Sequence, residues 1–370
     1  MSIEIRLLNT SEYETANAFY NRTRHIDRAA PLKPRTYPEF CWEFIDIPTG
    51  KAIYAGAWEN EHGKEPVLVG IQSVILVKMI AEDGSRFLSA KGEDTLIDIK
   101  TLIKYKKMDI LKELLNILIQ ECHKNGVEFL WGFNNIPASY RRLGFETPYK
   151  SHHGILVLNP FLAFKKISSL KLNNNPVANV KTLLYSGLAY IVSMKKLFIF
   201  SERNNYHFNC ELNDNTTLFK NAVFPDKFVF LIQDDDYLNW KISKNPYDIT
   251  YRTFQLLDEN KHLVAQVICS VQKDTAFIVQ TLFDKKINRK ARLYLLKKII
   301  TVLQKESVCM VRYTGFTSNK LNSNEMELLK GLGFIFTGKG EWFTFKKLLA
   351  NSSITPENIY LSRMFKQGVN

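Results

Sequence analysis

Cysteine is thin in this chain and follows no pairing pattern. Cys41, Cys122, Cys210, Cys269 and Cys309 are its five cysteines, they lie far apart, and no Cys-x-x-Cys occurs. An odd, scattered set argues against a disulfide framework and predicts reduced thiols and a cytoplasmic address. The histidines are scattered too, and Asp234-Asp235-Asp236 reads as a solvated turn, so no metal site is expected. Long apolar runs are missing: the longest uncharged one, Thr182 to Met194, is too short to span a bilayer. The first residues carry an early acid and no apolar core, so a signal peptide is not expected and the chain reads as soluble. Acid is short as well, with 37 Asp and Glu against 50 Lys and Arg, a net charge of +13. That excess favours polyanionic partners: nucleotide diphosphates, nucleic acid or an anionic surface. No zinc, helix-turn-helix or RNP-type signature accompanies it, which makes nucleic acid an unlikely partner. Finally, no glycine lies between Gly92 and Gly126.

At 370 residues the chain predicts two domains. A short strand is expected at Ile3–Leu8, helical material at Glu12–Arg24, and a helix or turn from Tyr37 to Phe44. Strands are expected over Lys51–Trp58 and Val67–Met79, and Ala81–Ser85 is a hairpin signal. Leu88 to Ile99 has the apolar and β-branched content of a strand. From Met108 to Cys122, the residues Ile110, Leu111, Leu114, Leu115, Leu118 and Ile119 fall at helical spacings. Val127–Phe133 suits a central strand, and Ala138–Leu143 reads as a short helix stopped by Gly144. Gly154–Leu158 reads as a strand closing the first domain. The expected division is 1–160, a connector at 161–205 containing an apolar helix from Lys181 to Phe200, and 206–370.

The second half repeats the first. Phe40-Cys41-Trp42, Pro48, Tyr54 and Ser73 have counterparts in Tyr237–Trp240, Pro246, Tyr251 and Ser270. Trp to Pro is six residues in both, and Tyr to Ser is nineteen in both. Further along, Ala291–Leu303 matches the helix at Ile110–Cys122, Val308–Tyr313 matches the strand at Val127, and Leu332-Gly333-Phe334 matches Leu143-Gly144-Phe145.

Strand, turn, long helix, strand, short helix, closing on Tyr140-Arg141-Arg142-Leu143-Gly144-Phe145, resembles the core of the GNAT acyltransferase superfamily. Val127–Asn134 and the doubled arrangement resemble its larger members tied to polysaccharide and nucleotide-sugar pathways. Where that family usually has a glycine-rich turn, this chain has Lys104-Tyr105-Lys106-Lys107-Met108-Asp109. The resemblance implies an α/β (α+β) fold of two tandem GNAT-like domains, each a mixed, mostly antiparallel sheet flanked by helices. It also implies acyl-coenzyme A as co-substrate. Pantetheine would lie along Thr95, Leu96, Ile97 and Asp98. Its pyrophosphate would meet Lys104 to Asp109 at the helix start, where backbone N–H groups and the dipole favour anions; a solvated lysine turn is the alternative. The second repeat offers a rival turn at Lys285–Ala291, and the fuller match favours the first.

Tyr140 occupies the position of the family's acid, or else is a packed aromatic. Asn134 would bind pantetheine, or form a turn with Asn135. Acyl transfer to an amine needs a proton acceptor. Asp94 is the first choice, with Glu93 expected on the opposite face because strand side chains alternate; His25, His152 and His153 are further candidates. Glu93, His25, Trp42 and Trp240 are the candidate acceptor contacts, the tryptophans stacking on a base or packing in a core. The expected activity is transfer of an acyl group from acyl-CoA to a nucleotide-linked amino sugar. The rivals are a transferase fed by aminoacyl-tRNA and a non-catalytic binding module.

Overall fold

The computed structural model describes residues 2–24, 33–81, 83–105, 108–170, 184–185, 187–193, 206–211, 229–284, 287–316, 319–337 and 340–366. In chain order the first half supplies β1 (Ser2–Leu7), α1 (Tyr13–Thr23), α2 (Tyr37–Phe44), β2 (Ile53–Asn60), β3 (Val67–Ala81), β4 (Arg86–Ile97), α3 (Ile99–Lys104), α4 (Ile110–Lys124), β5 (Phe129–Asn134) and α5 (Pro137–Arg142). There follow β6 (His152–Val157), α6 (Pro160–Leu170), β7 (His207–Glu211), β8 (Val229–Leu231), α7 (Asp235–Leu238), β9 (Thr250–Leu257), β10 (Leu263–Gln272) and β11 (Thr275–Phe283). The last are α8 (Arg289–Lys305), β12 (Met310–Gly315), α9 (Asn319–Gly331), β13 (Ile335–Thr337), β14 (Trp342–Lys347) and β15 (Ile359–Tyr360). Of the apolar helix expected over 181–200, residues 184–185 and 187–193 are described and helical. Among the described residues no helix is long and apolar enough to cross a membrane.

The chain forms two compact units. Unit 1 is Met1–Pro148 with Trp342–Pro356; unit 2 is Tyr149–Glu341 with Glu357–Asn370. Along its main strand path each has a mostly antiparallel sheet with one parallel neighbour pair among the described residues; β8 and β15 form a further parallel pair. In unit 1 the order is β1-β2-β3-β4-β5-β14, with β4 and β5 parallel. In unit 2 it is β13-β6-β12-β11-β10-β9-β7, with β11 and β12 parallel. The boundaries expected at 160 and 206 are therefore corrected at both ends. The strand expected to close the first domain is β6, which pairs with β12 and β13. Its place beside β5 is taken by β14. Repeats with the same order of elements offer similar sheet edges, so sequence proximity does not select the partner.

The repeat has a structural basis. Tyr54 stands opposite Ser73 in the β2–β3 ladder, and Tyr251 stands opposite Ser270 in the β9–β10 ladder. Both Leu-Gly-Phe motifs end a helix alike, with Gly144 at φ 79° and Gly333 at φ 96°. Phe145 N–H reaches Tyr140 O and Phe334 N–H reaches Leu329 O, both at 3.1 Å, a left-handed cap that only glycine adopts cheaply. Neighbouring Tyr54 and Ala55 show why unit 1 needs helices on both sheet faces. Ala55 packs in the core that α4 fills with Ile110, Leu114, Leu115 and Leu118. Tyr54 points the other way, into the rings of Tyr13, Phe40 and Phe44 from α1 and α2.

Candidate active site

The parallel ladder between β4 and β5 is short. It pairs Ser89 with Phe129, Ala90 with Leu130 and Lys91 with Trp131, then stops, although β4 runs on to Ile97 and β5 to Asn134. From Gly92 onward, β4 thus presents an edge with no strand partner on its β5 side among the described residues. Glycines stand on both strands where they part. A Cβ at Gly132 would lie 3.4 Å from Gly92 O, so side chains here would begin to fill the split. On its other edge β4 is kinked by a bulge. The register with β3 shifts between Ile71 and Ser73, and Asp94 sits at φ 46°. Glu93 O accepts hydrogen bonds from Gln72 Nε2 and Ser73 Oγ, both at 3.0 Å, so the irregular backbone is satisfied by side chains.

The bulge also corrects the expected alternation. Tyr54, Ser73 and Glu93 stand opposite one another across three strands and so share a face. Asp94 accepts a hydrogen bond from Tyr54 Oη at 2.8 Å, which places it on that face as well. Asp94 is not available as the base. Its carboxylate takes Arg35 Nη2 at 2.8 Å and Nη1 at 3.4 Å, and Arg35 also holds Glu43 at 3.0 Å. The Arg35 guanidinium lies over the Tyr20 ring at 4.0 Å, with Phe44 and Phe40 rings at 4.8 and 5.0 Å. Burial opposes its charge, but Asp94, Tyr54 and Glu43 outweigh that and raise it above the ordinary arginine value. Arg35 was not singled out in the sequence; a lone arginine before Thr36 gives no sign of the carboxylates that meet it from α2 and β4. Glu93 is a third exposed and ion-paired with the buried Lys91.

Tyr140 on α5 reaches the same strand. Its hydroxyl lies 3.1 Å from Thr95 Oγ1, which donates to Gln72 Oε1 at 2.5 Å. With Thr95 donating onward, the Tyr140 proton points to Thr95, and the chain ends on the Gln72 amide that ties down the bulge. Burial raises the Tyr140 hydroxyl above its ordinary value, eased by Thr95 and reinforced by Glu93. It therefore stays protonated at neutral pH, the form an acid needs. The ring packs edge-on against Phe145, so packed aromatic and placed hydroxyl are both true of it.

At the helix start, Asp109 caps α4 by accepting from Lys112 N at 3.2 Å. Lys104 Nζ and Tyr105 Oη both contact Glu59, at 2.5 and 2.8 Å. An exposed pair of this kind is screened by solvent and salt and does not keep Lys104 from a phosphate. Met108 packs on the α4 core, and Lys106 and Lys107 lie outside the described residues, as do Lys285 and Lys286 of the rival turn. There Asn288 caps α8 and Ala291 is buried in the core.

Several candidates serve the fold instead. Trp42 and Trp240 are both 3 % exposed, with Trp240 packed on Tyr237, because each sits on the core side of its helical turn. Asn134 Oδ1 accepts from Ile136 N at 3.0 Å, the turn reading. Asp98 accepts from Thr101 at the start of α3; Leu96 and Ile97 pair with Ile71 and Gly70 on the β3 side alone and so stay on the edge that faces β5. Asp234 caps α7 through Tyr237 N. His25 lies outside the described residues. Cys122 is buried in the core, which pushes its thiol up to about 12.

Unit 2 has the same split but fills it. Beyond Ile278 and Tyr313, β11 and β12 no longer pair. The Glu325 carboxylate bridges them, accepting from Thr281 Oγ1 on β11 and Tyr313 Oη on β12. The Thr281 carbonyl, on the strand itself, accepts from Tyr360 Oη at 3.4 Å.

No protein-family model and no curated protein sequence matches this chain. Solved structures do. A tandem GNAT protein from the clavulanic acid biosynthesis pathway is 10% identical over 95% of this chain and 100% of its own, with a TM-score of 0.55. A conserved protein of unknown function from Enterococcus faecalis V583, described as a probable N-acyltransferase, is 9% identical over 94% and 73%, with a TM-score of 0.59. Saccharomyces cerevisiae N-myristoyltransferase with bound myristoyl-CoA is 11% identical over 93% and 77%, with a TM-score of 0.54. The chain has the tandem GNAT fold.

Proposed function

We propose that unit 1 is the acyl-transfer site of a CoA-dependent N-acyltransferase whose acceptor is the amino group of a nucleotide-linked amino sugar. The observation that carries this is the β4–β5 split, lined by glycine and the unpaired edge from Gly92 to Ile97, with the Tyr140 hydroxyl beside it. Such an edge suits the amides of a pantetheine arm, and Lys104 with the α4 start is the place for its phosphates. Two of the solved structures of this fold are described as acyltransferases, which supports the reaction class. Unit 2 is the weaker choice, because Tyr360 occupies the corresponding strand carbonyl.

In this reading the acceptor nitrogen bonds to the thioester carbonyl carbon and the C–S bond breaks. Glu93 takes the proton released by the amine, and Tyr140 gives its proton to the departing sulfur. Thr95 and Gln72 keep the Tyr140 oxygen on station, and the Arg35–Asp94 pair holds the bulge that aims the edge. Nothing on this face needs a resident metal in that scheme.

Thiol release with a panel of acyl-CoAs against nucleotide-linked amino sugars tests it. Tyr140→Phe should lower kcat by about 10²-fold or more while KM for acyl-CoA changes little. Unchanged turnover in that variant, or no thiol release with any donor, sinks the assignment. A transferase fed by aminoacyl-tRNA would instead bind tRNA with a steep salt dependence.

A further inference from the structure

We propose that unit 2 carries a binding site for an oxyanion, the phosphate or carboxylate of a small molecule, in the cleft beneath Arg363. The cleft is small and open to solvent, with about 20 Å3 of space for water-sized centres, so it has room for the charged head of a ligand and not for a whole small molecule. Its polar lining residues are Tyr251, Ser270, Gln272, Arg363 and Lys366. No carboxylate is among the described lining residues. The lining therefore presents hydrogen-bond donors and positive charge, the set that a doubly or singly charged oxyanion satisfies.

The cationic groups are positioned rather than waving. The Arg363 guanidinium lies 4.3 Å from the Phe277 ring centre, and Arg312 approaches the same ring at 5.4 Å. Stacking on an aromatic face fixes the plane of the guanidinium fork, the geometry that suits a two-oxygen group. Lys366 is 3.7 Å from Glu341, a partly exposed acid. His153, bonded to Thr314 Oγ1, feels the same crowd. Burial pushes it down to about 4, with Arg312, Lys366, Arg363 and His152 adding to the fall. Burial likewise lowers Arg363 to about 10, and Arg312 contributes. Positive charge outnumbers negative around this cleft, and a bound anion relieves that repulsion. None of these residues belongs to the unit 1 split, so the site stands whether or not the acyltransferase reading does.

Calorimetric titration of the full chain with inorganic phosphate, diphosphate and acetate tests the proposal. Saturable binding of one of them is expected, and the anion that binds says whether phosphate or carboxylate is the source. Arg363→Gln should weaken it about tenfold or more. Arg363 also packs on Phe277, so the exposed Arg312→Gln serves as the second variant, with the fold intact and a loss of about threefold. The binding that Arg363→Gln weakens should persist in Lys104→Gln and Tyr140→Phe. Absence of saturable binding for all three anions overturns the site. So does wild-type binding in both arginine variants, or loss on Lys104→Gln alone, which would move the anion to unit 1. Thiol release reads the acyl-transfer proposal separately.

Discussion

Arg35, Asp94 and Glu43 place one cation against two carboxylates, with side chains only 4 %, 6 % and 8 % exposed. Removing the shared cation strands both acids in a site built to exclude water. Arg35→Met is therefore expected to cost about 3–5 kcal/mol, read as a lower denaturant midpoint, and a loss within about 0.5 kcal/mol of zero would refute the role given to this pair. Glu325 makes the opposite case. Burial raises its carboxyl above the ordinary 4.5, although Thr281 and Tyr313 pull the other way. The folded state then holds this proton more tightly than the unfolded chain. Its contribution to stability is complete below the unfolded value and is lost as pH rises through the folded one. Glutamine has no such proton to lose. Melting temperatures of Glu325→Gln and the wild type should converge near pH 4, and the variant should pull ahead as pH rises; a gap that widens towards acid would contradict the sign.

Among elements, β4 does most to shape the site. Three properties coincide on it: a short parallel ladder, a glycine at the point of parting, and a bulge that turns two consecutive acids to one face. The glycine opposite, Gly132, would place a Cβ in ordinary van der Waals contact with Gly92 O at 3.4 Å, and the branches of a valine would extend from there into the split. Gly132→Val should close the split. At a donor concentration of 100 times Kd the wild type gains about 2.7 kcal/mol of apparent stability from acyl-CoA, and the variant should gain almost none. The corresponding element in unit 2, β11, keeps its split filled from within, so Tyr360→Phe should leave the acyl-CoA effect unchanged. A lost thermal shift in Tyr360→Phe with a normal one in Gly132→Val would exchange the roles of the two units.

For the whole molecule, the consequential feature is the exchange of closing strands. Unit 1 completes its sheet with β14, from Trp342–Lys347, where Phe343 and Phe345 are buried. Unit 2 uses β6, from the chain just after α5. Ending the chain at residue 341 therefore removes the partner of β5, more than two hundred residues earlier, and leaves an apolar edge open. A fragment 1–160 should be insoluble or aggregate, and a version with residues 342–356 appended through a flexible linker should fold. A well-behaved monomer of 1–160 alone would show that β14 is dispensable.

Composition and spacing were enough for the doubled half-chain, the long helices and the two Leu-Gly-Phe stops, because each is a local preference written into neighbouring residues. The nineteen-residue Tyr-to-Ser interval was legible before its meaning was: it is the length of a hairpin that puts the two residues face to face. Four matters depended on the folded chain. Which strand closes which sheet is a competition between equivalent edges. Whether an acid is a base or a strut depends on the arginine that reaches it from eight to fifty-nine positions away. Alternation along β4 fails because a bulge adds a residue that no pattern of polarity announces. The filled split of unit 2 needs Glu325 and Tyr360 to arrive from distant elements, and long-range meetings of that kind leave no trace in the order of residues.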